Sequence, residues 1–419
     1  MYSLRLLSEE DQETELESAY EPQDIMSRLR KLTPGIVAGA ADLDPAAVLT
    51  ATVAGASFGY SIGWVVLLAI PVLWAVFSVS ARVGHHSNSG LVELIRRHYG
   101  KIAGWSMAAA MISVNMMMIV ADLVAVTDAF SLVLQQARAY FLPLVAFAVW
   151  YLLVVGDYRK SSRTLTWFAL FQGAYLVAAV MAVRSWPSLL KGIALPHLSV
   201  TSAYVVGVIA VFGSLLTPDV LVWQTSSRRD QKASGGGFHS SESKAGTLVA
   251  CLISLSVIVA ASVLHVADPS HMSILDAARA LGPLGVLAPI IFSVGIIGSG
   301  LIALPILVAS MCFSIAEAAD WEAGLAMPAW EARRFYVLIS ASVLVATIID
   351  FRRINTVTVL YWSQVLAGFL VVPVLLFIVL LGNNPRLTGR RNTMFENLWL
   401  GGAVAGMIVA NLVLVWTQF

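Results

Sequence analysis

The chain has 419 residues, 58% of them hydrophobic and only 12% charged, with a formal net charge of +1. Soluble domains carry roughly a quarter charged residues and less than half apolar ones, so this composition excludes a soluble globule and places the chain in a lipid bilayer. The near-zero charge leaves no basic surplus for nucleic acid, which is not expected as a partner.

The first 33 residues are polar and acidic ("SEEDQETELESAYEPQD") and end in the basic stretch "MSRLRKLTP". They lack a basic start followed by a short apolar core, so a cleaved signal peptide is not expected, and the segment reads as a cytosolic tail. Beyond it, a membrane-crossing helix needs about 20 mostly apolar residues. Eleven such runs occur, at roughly 34–57, 62–83, 102–135, 139–157, 163–185, 203–226, 247–267, 284–317, 334–350, 356–382 and 397–417. The third and eighth exceed one bilayer thickness and are expected to tilt or project. With the N-terminus inside, 20 of the 26 Lys and Arg residues fall on the inner side and 6 outside. That is the asymmetry of the positive-inside rule, and it places the C-terminus outside a plasma (inner) membrane.

The runs group as a tail (1–33), five spans (34–185), an outer connection (186–202), five more spans (203–382), and a loop with the eleventh span (383–419). The connection "SSRRDQKASGGGFHSSESKAG" (226–246) is Gly/Ser-rich and reads as flexible. Residues 89–100 and 270–283 read as short amphipathic pieces along the interface. Cys251 and Cys312 both fall in apolar runs and read as small buried hydrophobes, not as a disulfide or a metal pair.

Two spans carry a contradiction. Span 1 contains "GAADLDPAAVLTATVAGASFGY", with Asp42, Asp44 and Pro45 well inside it, and span 6 contains "FGSLLTPDVLVWQ", with Thr217, Pro218 and Asp219. A proline inside a helix removes a backbone hydrogen bond, and in hydrocarbon an unsatisfied polar group costs several kcal/mol. Each break opens a five-helix half. Interrupted helices at matching positions of two halves mark an inverted-repeat transporter with its site at the midplane. Broken helices expose free carbonyls, and free carbonyls with a carboxylate suit a cation. The other acids expected near the midplane are Asp122 and Asp128 in span 3, with no Lys or Arg deep enough to neutralise any of the five. A lone proline would read equally well as a packed kink. No nucleophile–base pair or dense histidine cluster suggests an enzyme, and no catalytic residue is expected.

These residues resemble the Nramp family of divalent metal transporters. Its first helix carries Asp-Pro-Gly-Asn followed at fixed distance by Ala-Gly-Ala-x-x-Gly-Tyr, a spacing that "DPAAVLTATVAGASFGY" matches without a gap. Its sixth helix carries Gly-Ala-Thr-x-Met-Pro-His, against "GSLLTPD" here. "GSGLIALPILVASMCFSIAEAADWEAGL", "YWSQVLAGFLVVPVLLFIVLLGNN" and "ADLVAV" look like the Nramp-related magnesium transporters. The resemblance implies an all-α membrane protein of eleven helices with an inverted 5+5 repeat (the LeuT-type, amino-acid-transporter-like fold) and broken helices 1 and 6. It places the metal-binding aspartate on Asp44, the family's asparagine on Ala47, its carbonyl ligand on Ser214, its methionine on Thr217 and its histidine on Asp219. The helix 3 acid used in proton movement falls on Ala125, while Asp122 remains one turn earlier. Asp42, Asp122 and Gln364 are candidates for an outer shell or relay.

A thioether favours transition metals, so Thr217 in its place hardens the site. Mg²⁺ sheds water reluctantly and is held through one or two carboxylates with several waters retained. The expected activity is therefore alternating-access import of Mg²⁺ and Mn²⁺ without obligatory proton coupling. These ions are substrates, and no cofactor or obligatory protein partner is expected. The alternatives are a proton-coupled Mn²⁺/Fe²⁺ symporter, with Asp219 and Asp122 as relay, and an amino-acid transporter of the same fold.

Overall fold

A computed structural model describes the chain from residue 43 to residue 418, leaving out 88, 157–166, 168–169, 196–198, 200, 234–239, 265–271, 326, 328–329 and 351–354. Among the described residues every regular element is helical, as hydrocarbon demands of a chain that must satisfy its own backbone groups. The helices are α1 (Pro45–Phe58), α2 (Trp64–Ser87), α3 (Leu91–Tyr99), α4 (Lys101–Leu134), α5 (Arg138–Val154), α6 (Ala174–Ala182), α7 (Trp186–Ala194), α8 (Ser202–Leu215), α9 (Pro218–Ala233), α10 (Ser240–Ala261), α11 (Ile274–Ala278), α12 (Ala288–Ala319), α13 (Arg333–Asp350), α14 (Thr356–Gly382), α15 (Pro385–Thr388) and α16 (Met394–Gln418). A short 3-10 turn, Leu170–Gly173, leads into α6.

Among the described residues eight spans are long and apolar enough to cross a bilayer, α8 and α9 counting together as one, and the pair Leu170–Ala182 with Trp186–Ala194, bent by 119°, makes a ninth. The count of eleven expected from the sequence is not reproduced on that criterion. Helix α5 has only 17 residues, and α13 carries Arg333, Arg334 and Asp350 within its 18. Both nevertheless lie where the apolar runs predict helices. The connection read as flexible at 226–246 is shorter than expected, being helical up to Ala233 and again from Ser240. The outer connection, 186–202, holds the amphipathic α7.

The two longest helices, α4 and α12, run side by side through the middle of the bundle, and α1 packs on α10, α14 and α8. Proline alone does not break a span. Pro71, Pro143, Pro305 and Pro373 all sit inside continuous helices, whereas Pro45 and Pro218 each open one.

Two polar clusters tie helix ends together. Glu317, near the end of α12, caps α3 by accepting the amides of Val92 at 3.0 Å and Glu93 at 3.3 Å, and it accepts Ser226 Oγ of α9 at 2.6 Å. At the start of α16, Glu396 pairs with Arg82 of α2 at 2.9 Å and with Arg390 at 3.1 Å. Cys251 and Cys312 are buried free thiols.

Candidate metal-binding site

Proline's fixed φ and missing N–H suit the first position of a helix, which is where Pro45 stands. Asp44 precedes it in extended backbone (φ −65°, ψ 167°), only 6% exposed, and its Oδ1 accepts the Ala47 amide at 2.5 Å. Asp44 is thus the N-cap of α1. A carboxylate offers about four acceptor positions on two oxygens, so capping and cation binding are compatible. Ala47 contributes only backbone, and its amide is engaged in that cap. Asp42 lies outside the described residues.

Helix α8 stops at Leu215, Leu216 and Thr217 leave helical geometry, and α9 restarts at Pro218. The donor that would serve the Ser214 carbonyl in an unbroken helix is the amide four residues on, and that residue is Pro218, which has none. The Ser214 hydroxyl turns back to the Val211 carbonyl at 2.9 Å, which leaves the backbone oxygen as the group this residue can present. Thr217 is half-buried at the gap. Asp219 is the second residue of α9 and buried, at a helix start where the dipole favours a carboxylate.

Asp122, on α4, is fully buried and lies in the electrostatic field of both Asp44 and Asp219, with the Ala46 amide also acting on it. Neither of its oxygens accepts a hydrogen bond of ordinary geometry. The fold therefore brings three buried carboxylates into one field: Asp44 capping the start of α1, Asp122 of α4, and Asp219 just after the break between α8 and α9. Gln364 of α14 is buried with both amide atoms unpartnered, and its backbone passes so close to α8 that a Cβ on Gly213 would lie 2.4 Å from the Gln364 carbonyl oxygen. That contact brings Gln364 beside the residue preceding Ser214. Among the described residues no three His, Cys, Asp or Glu side chains converge tightly enough to form a metal cage on their own, so backbone oxygens, amides and water would have to complete any shell.

Asp128 departs from expectation. It is not an uncompensated midplane acid: Arg138 lies 3.7 Å away, Thr356 donates to it, and Arg138 also pairs with Asp350. The reversal at Gln135, in left-handed conformation (φ 54°), folds α5 back against α4 and returns Arg138 to the level of Asp128.

One polar residue beside the site was missed from the sequence. Gln172, 2% exposed, donates Nε2 to the Leu43 carbonyl at 3.1 Å. Its signal was a lone carboxamide in the apolar run "LFQGAYLVAAVMAV".

The long apolar helices, with one span broken at its middle between α8 and α9 and another whose described part begins at the capping aspartate Asp44, define an all-α membrane protein of LeuT-type inverted-repeat fold. The structure is similar to that of the manganese transporter of Eremococcus coleocola in complex with an aromatic bis-isothiourea compound, with a TM-score of 0.70 at 14% identity over 94% of this chain and 87% of that one. It is also similar to MhsT in complex with L-phenylalanine, with a TM-score of 0.59 at 12% identity over 92% and 98%. In sequence it is 24% identical over 394 residues to the divalent metal cation transporter MntH of Aeromonas hydrophila subsp. hydrophila, covering 91% of this chain and 93% of that protein. The MntH of Burkholderia ambifaria is 24% identical over 402 residues, covering 92% and 88%. The chain belongs to the Nramp family: the family model described as natural resistance-associated macrophage protein-like matches residues 35–417.

Proposed function

We propose that the protein is a secondary transporter that imports divalent metal cations, Mg²⁺ and Mn²⁺, by alternating access and without obligatory proton coupling. The observation that carries this reading is the burial of Asp44, Asp122 and Asp219 together, beside the start of α1 and the break between α8 and α9. Three like charges in a low-dielectric interior repel strongly, and a doubly charged ion among them removes that penalty. The donors nearby are hard oxygens: carboxylates, the Ser214 carbonyl, the Thr217 hydroxyl and the Gln364 amide. Such a set suits ions that prefer oxygen and keep part of their water. The kinship with proteins named divalent metal cation transporters supports the same substrate class. In this reading Asp44 is the principal ligand, Asp219 and the Ser214 carbonyl close the opposite side, and Asp122 lies behind them.

An inside-negative potential contributes about 2.3 kcal/mol per charge per 100 mV, doubled for a divalent ion, so influx through a plasma membrane needs no proton partner. The N-terminus faces the cytosol and the C-terminus the outside, as the Lys and Arg asymmetry favours. Asp122, whose charged neighbours are both acidic, is the observation that favours a second reading, proton-coupled Mn²⁺/Fe²⁺ uptake.

Proteoliposomes carrying a Mg²⁺ or Mn²⁺ indicator and a pH dye test both. Metal influx with no change of internal pH is expected. Acidification in step with influx would establish coupling, and the lack of uptake of either ion would refute the proposal.

A further inference from the structure

Gln172 stands at the edge of the site but outside every role described above. It sits in the 3-10 turn Leu170–Gly173, pressed against α12, where a Cβ on Gly295 would come within 3.1 Å of its Cγ and 3.4 Å of its backbone nitrogen. A side chain at 295 would push this turn away from the bundle centre. From there the carboxamide crosses to α1 and donates Nε2 to the carbonyl of Leu43, the residue before Asp44. That bond fixes the orientation of the amide, because the Leu43 oxygen accepts only from a donor. The other end, Oε1, is then left buried with no hydrogen-bond partner.

Buried amide oxygens are almost always satisfied, and an orphan calls for a function or a ligand. In a membrane interior the requirement is stricter, since bulk water is not at hand. The two polar atoms of one carboxamide are only about 2 Å apart, a distance fixed by standard bond lengths. Oε1 therefore lies within about 5 Å of the Leu43 carbonyl, beside the residue that precedes Asp44. A neutral oxygen there does not add to the repulsion among the three carboxylates. It is an acceptor for the polarised O–H of metal-bound water, which is what a reluctantly dehydrating ion carries into its site.

We propose that Gln172 is a specificity-determining residue: its Oε1 accepts a hydrogen bond from a water in the shell of the transported divalent cation, while its Nε2 pins the Leu43 carbonyl just ahead of α1. This rests on the divalent-cation reading of the site. It assigns Gln172 to the outer shell, where it discriminates between ions by how much water they retain. Mg²⁺ depends on it more than Mn²⁺ does.

The experiment is initial-rate uptake of Mg²⁺ and of Mn²⁺ in proteoliposomes containing the full chain, wild type beside Gln172→Met and Gln172→Glu. Gln172→Met keeps the volume and removes both polar ends. It is expected to raise KM for Mg²⁺ about tenfold and KM for Mn²⁺ no more than about threefold, with smaller changes in kcat, the pattern of lost ground-state binding. Gln172→Glu, held protonated by burial beside three acids, keeps an acceptor oxygen and an O–H donor for the Leu43 carbonyl, and is expected to hold KM for Mg²⁺ within about threefold of wild type. A purely structural role would lower kcat or protein yield for both ions alike. The inference is overturned if wild-type uptake is normal and Gln172→Met leaves the Mg²⁺/Mn²⁺ ratio of kcat/KM unchanged. Should Gln172→Met not fold, Gln172→Glu with that ratio shifted toward Mn²⁺ overturns it equally. A wild type that carries neither ion refutes the divalent-cation reading itself and this inference with it.

Discussion

Ser226 of α9 and Glu317 of α12 meet at 2.6 Å, hydroxyl to carboxylate, and the same carboxylate caps α3 through the amides of Val92 and Glu93. One acid thus joins the second half of the broken sixth span, the long eighth span and a short amphipathic helix. Gly90, which precedes α3, leaves the room: a Cβ there would fall on the carboxylate itself. Removing Glu317 strands three donors at once. Glu317→Ala is expected to cost about 2–4 kcal/mol, given about 1 kcal/mol per lost bond and more for charged ones. Ser226→Ala should cost about 1 kcal/mol. Thermal unfolding in detergent, with both variants compared, measures the order.

Asp44 combines two duties that substitution can separate. Asparagine caps a helix about as well as aspartate but carries no charge. Asp44→Asn should therefore melt with the wild type while losing at least about a hundredfold in divalent-cation uptake, the loss expected when a buried charge partner is deleted. Asp44→Ala loses transport as well and a further ~1 kcal/mol of stability. Equal uptake by Asp44→Asn and wild type would remove the carboxylate from the ion's coordination.

Pro218 keeps the Ser214 carbonyl without an intrahelical donor. Pro218→Ala restores an N–H at the position that carbonyl would reach in a continuous helix. The expected result runs against the usual trend for mutations: the melting temperature stays level or rises while the apparent affinity for Mn²⁺ falls about tenfold, as a ligand oxygen turns inward to the helix. Calorimetric titration and a melting curve on the same sample check the two halves.

Gly213 faces α14 where a Cβ would lie 2.4 Å from the Gln364 carbonyl and 2.7 Å from the Gly368 amide. Gly213→Ala forces α8 and α14 apart and is expected to cost about 1–3 kcal/mol, the range for overpacking. Gly401, on α16, has open space around it; Gly401→Ala is the control, which should leave uptake unchanged and hold or slightly raise the melting temperature.

The spans were legible because hydrocarbon imposes a simple requirement, a run of apolar residues long enough to cross it. The breaks were legible because proline beside aspartate contradicts that requirement, and the structure puts Pro45 and Pro218 at helix starts. What proline could not signal by itself was a break, since Pro71, Pro143, Pro305 and Pro373 are absorbed within helices. Asp128 was misjudged for a different reason. Its partner Arg138 lies ten residues on in a connection, and linear spacing does not say how a chain turns back upon itself; the left-handed residue Gln135 decides that. Gln172 was passed over because uncharged side chains attract less notice than acids in an apolar run. The physical rule that singled out the aspartates, that a polar group in hydrocarbon needs a partner, applies to it equally.

The Arg82–Glu396 pair has a mechanical consequence for α16. Only 22% of an apolar 18-residue stretch of that helix is buried, against 56–78% of the corresponding stretches in the other seven long spans among the described residues, and the charged cluster sits at its first turn. The last span is accordingly anchored by charge at its foot and packed along one face on α2, α8 and α14 through Leu400, Ala403, Met407 and Leu414, while its other face is left to acyl chains. Its lean is set by those contacts and by the charged foot, and the thickness of the surrounding bilayer acts on it through the uncovered face.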